Sequence, residues 1–87
     1  MEHLRERIDI IDESIQNLFL ERMEVVKNVA LYKKENNLAV YDAAREQEVI
    51  KKNVVRVDDE NLIDLYEEFY IKILEISKKY QERVMVK

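Results

Sequence analysis

The chain has 87 residues, 39% of them charged and 47% hydrophobic, with no glycine, proline or cysteine. That length supports one domain, the usual residues of tight turns and strand ends are missing, and disulfides and thiolate metal sites are excluded. A net charge of −4 denies the chain the basic surface that nucleic acids require, and no apolar run is long enough to span a membrane. The composition predicts an all-α chain, a single domain over 1–87, with neither a nucleic-acid nor a membrane partner. No signal peptide stands at the start, so a cytoplasmic location is expected. His3 is the sole histidine, so no metal site is expected.

The first helix is predicted from about Glu2 to Glu35. Its apolar stripe reads Leu4, Ile8, Ile11, Ile15, Leu18, Arg22, Val25, Val29 and Tyr32, in steps of four and three that suit a helix burying one seam. At ~1.5 Å per residue it is roughly 50 Å long, against about 30 Å for a compact domain of this size. The stripe needs a cover along its whole length, which predicts a homodimer with the first helices packed together. Arg22 interrupts the stripe. A guanidinium stays charged and is almost never buried alone, so it meets either a carboxylate of the protein or an anionic ligand.

Asn36 and Asn37 break the pattern, since asparagine favours turns and tolerates left-handed backbone. A second, shorter helix is predicted from near Asp42 to near Asn53, then Val54–Val57 as either a short connector or one more turn of helix. The third helix is predicted from about Glu60 to Arg83, with Asp58 or Asp59 as its cap. Its stripe of Leu62, Tyr66, Phe69, Ile73, Ile76 and Tyr80 is expected in the core.

Several polar residues share the inward faces. Lys33 follows Arg22 by eleven residues, close to three whole turns, so the two cations share a face to within about 20°. One small dianion between them can touch both. Arg5 points about 100° away from Arg22, so it cannot serve the same pocket within one straight helix but can serve that of a second copy. Ser77 and Gln81 are i,i+4 neighbours that end an apolar row through Ile63, Tyr66, Tyr70 and Ile73. Asp42, Arg45 and Glu46 cluster at the start of the second helix. Each has a plainer reading: Arg22 paired with a glutamate, Arg5, Lys33, Arg45 and Glu46 as solvated charges, Asp42 as a cap. Their common register favours a site.

Leu4-Arg5-Glu6-Arg7-Ile8-Asp9, Asp12, Glu21-Arg22, Lys33, Asp42-Ala43-Ala44-Arg45-Glu46 and Ser77-Lys78-Lys79-Tyr80-Gln81 together resemble the all-helical class of chorismate mutase in its short, stand-alone form. The ordered set covers nearly the whole chain. The resemblance implies three helices per chain, a long first helix and an intertwined homodimer whose sites are each completed by the other copy. It implies a cofactor-independent isomerase that converts chorismate to prephenate, a Claisen rearrangement on the shikimate route to phenylalanine and tyrosine. Arg5 of the second copy and Arg22 would clamp the substrate carboxylates. Lys33 would reach a carboxylate and the ether oxygen of the breaking bond, and Gln81 would donate to that oxygen. Glu46 would accept from the ring hydroxyl, with Asp42 and Arg45 nearby and Ser77 at a carboxylate. Ala39 stands where family members often carry proline, and no regulatory domain is expected. Two other readings remain in view: an isochorismate pyruvate-lyase, which shares the fold and the clamp, and a non-catalytic helical dimerisation module. Glu46 with the Lys33 and Gln81 pair favours the mutase over the first, and the polar seam residue Arg22 disfavours the second.

Overall fold

The computed structural model describes residues 1–86 and forms three helices: α1 (Glu2–Glu35), α2 (Ala43–Val54) and α3 (Ile63–Val86). α1 carries Glu2 in its first turn and Lys33 and Lys34 in its last, charges that complement the helix dipole. It ends where the two asparagines stand. Asn37 has φ 55°, the Leu38 amide donates to the Lys33 carbonyl at 2.8 Å, and the Asn37 amide donates to that of Lys34 at 3.4 Å. This is the Schellman closure, with asparagine as its left-handed residue in a chain that has no glycine. Asn36 Nδ2 adds a bond to the Tyr32 carbonyl at 2.8 Å.

Asp42 caps α2, its Oδ1 accepting from the Arg45 amide at 3.1 Å. Asp42→Ala is expected to lower stability by about 1 kcal/mol, as cap removals do; a denaturant titration reads it, and an unchanged midpoint would deny the cap any weight. α3 begins three residues later than its predicted start. Asp59 Oδ1 accepts from the Asn61 amide at 2.9 Å, and the Asp59 carbonyl accepts from the Leu62 and Ile63 amides. The aspartate thus holds residues 60–62 in a turn of its own, which competes with helix. At the other end α3 continues to Val86, past the expected Arg83.

α3 packs on both α1 and α2, and α1 and α2 do not pack on each other. The chain measures 51 × 27 × 14 Å. Since a helix with its side chains is ~10–12 Å across, the three helices lie in one layer. The buried apolar side chains are Val26 and Ala30, joined by the buried polar residues Ser77 and Gln81. On α1 the face against α3 is therefore the row Arg22, Val26, Ala30 and Lys33. It stands one position round from the predicted stripe, and Arg22 lies at the border of the two.

Within one chain the predicted stripe faces solvent, Leu4, Ile8, Ile11, Ile15, Leu18, Val25, Val29 and Tyr32 all being exposed. The α3 stripe is corrected likewise: Leu62 and Phe69 are exposed, while Tyr66, Ile73, Ile76 and Tyr80 are half-buried. In a single layer a helix is covered only along the flanks that meet a neighbour, and its other faces stay open. The accessible surface is 7336 Å², against about 5,500 Å² for a compact chain of this mass, and the radius of gyration is 15.8 Å against about 12 Å.

Candidate active site

Two polar rungs join α1 to α3. In the first, Arg22 Nη1 donates to Ser77 Oγ, while the Ser77 hydroxyl donates to the Ile73 carbonyl at 2.8 Å. That second bond spends the serine proton and leaves its oxygen lone pairs for the guanidinium. In the second, Lys33 Nζ donates to Gln81 Oε1 at 3.1 Å and to the Val40 carbonyl at 2.9 Å. Val26 and Ala30 fill the space between the rungs. Ala30 has no exposed surface at all, and its small side chain lets α3 approach closely.

Ser77 and Gln81 keep 5% and 8% of their surface, so both are read as inward-facing, as their row on α3 predicts. The carbonyl end of the Gln81 amide is committed to Lys33, which leaves its NH₂ end as the donor. Lys33 has three N–H donors, two of them used by Gln81 and Val40. Its bond to Val40 also ties the α1–α2 loop to the site, at the segment where Ala39 offers none of proline's stiffness.

α2 supplies Glu46, whose Oε2 pairs with Lys78 Nζ of α3 at 3.0 Å. The Lys78 ammonium stands 4.7 Å from the centre of the Tyr41 ring. Arg22 and Lys33 thus contact α3 at Ser77 and Gln81, and Glu46 contacts it at Lys78. The other three predicted residues are not brought in. Arg5 is exposed and pairs with Glu2 at 3.3 Å, roughly 25 Å along the helix from Arg22. Arg45 is exposed and pairs with Glu48 at 2.9 Å. Asp42 is exposed and spends Oδ1 on its cap.

Lys78, Tyr41 and the Val40 carbonyl escape the sequence reading. Lys78 sits beside Lys79 and reads as one of a solvated pair; its only sequence signal is the i,i+3 spacing to Gln81. A backbone carbonyl leaves no trace in composition at all. Arg22 and Ser77 also line an open apolar groove between α1 and α3, walled by Leu18, Phe19, Phe69 and Ile73. Among the described residues no cluster of acids, histidines or cysteines is arranged to hold a metal ion, and no helix is long and apolar enough to cross a membrane.

A family model described as chorismate mutase type II matches residues 4–82. The chain is also 31% identical over 88 residues to a bifunctional chorismate mutase/prephenate dehydratase of Aquifex aeolicus (strain VF5), an alignment covering 91% of this chain and 24% of that protein. The chain therefore spans about a quarter of that relative's length. No solved structure matches.

Proposed function

The chain belongs to the chorismate mutase type II family, and on that premise we propose that it rearranges chorismate to prephenate in aromatic amino-acid biosynthesis, in the cytoplasm. The observation that carries the reading is the pair of rungs, which fixes a guanidinium and an ammonium on buried polar residues of α3. A pericyclic reaction needs neither nucleophile nor proton transfer. It needs the flexible enolpyruvyl arm held over the ring and fixed donors where negative charge grows, on the ether oxygen. A millionfold enhancement corresponds to about 8 kcal/mol.

The roles follow from the chemistry of each group. Arg22, held by Ser77, presents a planar fork that grips a carboxylate through two bonds. Lys33 offers its third N–H to the ether oxygen and a carboxylate, and the NH₂ of Gln81 donates to the same ether oxygen. Glu46 accepts from the ring hydroxyl. Asp42 keeps an uncommitted carboxylate oxygen near the loop, and Arg45 exchanges Glu48 for substrate.

The partner is a second copy of this chain. The surface in excess of a compact chain is ~1,900 Å², well above the ~800 Å² per partner of an ordinary interface. It includes the exposed α1 stripe. Packing α1 against α1 brings Arg5 of one copy towards Arg22 of the other, where it completes the carboxylate clamp.

The test is an absorbance assay of purified protein with chorismate, with isochorismate in parallel. Conversion of chorismate to prephenate is expected. Inertness towards chorismate would refute the assignment, and pyruvate release from isochorismate alone would move it to the lyase. Because the Gln81 amide donates at any ordinary pH, turnover is expected to stay nearly flat from pH 6 to 8. In Gln81→Glu the new carboxyl donates only when protonated, so its activity is expected to fall as pH rises through the carboxyl pKa. A steep wild-type loss between pH 6 and 8 would remove Gln81 from this role.

A further inference from the structure

We propose that Lys78 is a positioning residue for Glu46, and through Glu46 sets recognition of a ring hydroxyl on a dianionic substrate. The ion pairs of Arg5, Lys27, Arg45 and Lys72 each join residues three apart on one helix. They are exposed, and such pairs hold little in place. Lys78–Glu46 is of another kind: it joins α3 to α2, its side chains being 30% and 22% exposed.

α2 has few other ties. It buries no residue and packs on α3 alone; Val49, Ile50, Asn53 and Val54 are half-buried. The carboxylate at position 46 therefore points where Lys78 holds it. Lys78 is itself held from behind. Its ammonium rests on the Tyr41 ring, an attraction that limits the freedom of a long flexible stem. Three segments thus meet on one cation: the loop at Tyr41, α2 at Glu46 and α3 at Lys78.

The arrangement meets a specific electrostatic need. Glu46 is to accept from a hydroxyl in a site that receives two further negative charges. A cation 3.0 Å away offsets the repulsion between the carboxylate and those charges. Lys78 occupies Oε2, which leaves Oε1 for the hydroxyl.

The identity of the hydroxylated ring rests on the proposed mutase reading, so the test is made without turnover. The probes are a non-reacting bicyclic dicarboxylate that carries the ring hydroxyl and its deoxy counterpart, each titrated by calorimetry. The wild-type protein is expected to prefer the hydroxylated compound by roughly 10–100-fold, the usual range for a hydrogen bond to a charged acceptor. Lys78→Met is expected to lose most of that preference: the uncompensated Glu46 charge weakens both dianions, and the hydroxylated compound loses its aligned acceptor as well. Lys78→Arg should restore the preference, and Lys78→Met should add nothing in a Glu46→Gln background. The proposal is overturned if Lys78→Met keeps the preference, if it weakens both compounds equally, or if the wild type makes no distinction or binds neither. A wild type that distinguishes the compounds but leaves chorismate unchanged sinks the mutase reading and spares this one.

Discussion

Replacing Lys33 by alanine is expected to lower kcat by roughly 100–1000-fold, the range seen when one donor to a developing oxyanion is removed. Three functions are lost together. The ether oxygen loses a charged donor at the moment its charge grows. Gln81 loses the partner at Oε1 that orients its amide, so the second donor turns freely. The loop loses its bond at Val40. The effects of Lys33→Ala and Gln81→Ala should therefore fall well short of adding, as they do for groups that act as a unit. Steady-state kinetics on the two single variants and the double variant check this, with circular dichroism to confirm that helicity is retained. A Lys33→Ala protein within threefold of wild-type kcat would remove Lys33 from the chemistry.

The second large effect belongs to the exposed stripe of α1. Ile11→Asp is expected to abolish association at micromolar concentration and to melt most of the helix. Ile11 is half-exposed in the single chain, so an aspartate there costs one isolated chain almost nothing. In a symmetric pair two uncompensated carboxylates enter the interface, each at a penalty of several kcal/mol. Among the described residues the separated chain then has only Val26 and Ala30 as buried apolar side chains, too few to offset the entropy of ordering three helices. Sedimentation and far-ultraviolet circular dichroism read the two consequences, and the assay should show at least ~100-fold less activity once Arg5 has no neighbour to complete. Wild-type sedimentation as a single folded chain, or an unaltered Ile11→Asp protein, would refute the paired assembly.

Much of this molecule is legible in its letters, and the gaps have physical causes. The bounds of α1 follow from a stripe that keeps its register through Arg22 and from two adjacent asparagines, and Asp42 announces α2 because a cap is a local matter. The start of α3 is misplaced because Asp59 offers its side chain to Asn61, a competition between turn and helix that propensity does not weigh. Arg22, Lys33, Ser77 and Gln81 are recoverable as inward residues from helical phase alone. Which flank of α1 meets α3 is not, because Val25 and Val26, or Val29 and Ala30, are equally apolar neighbours some 100° apart. Lys78 is hidden for another reason. Its partner is Glu46 on a different helix, and no spacing within the sequence encodes a meeting between helices joined by a loop.

A slab 14 Å thick has very little inside. Val26, Ala30, Ser77 and Gln81 are covered within it, but the long stripe of α1 is not, and whatever shelters that stripe must come from elsewhere. With a second copy as that shelter, the object that a ribosome releases and the object that holds a shape are different things. Dilution then becomes a variable of the fold itself, and the amount of chain present decides whether there is an interior for Arg22 and Lys33 to belong to.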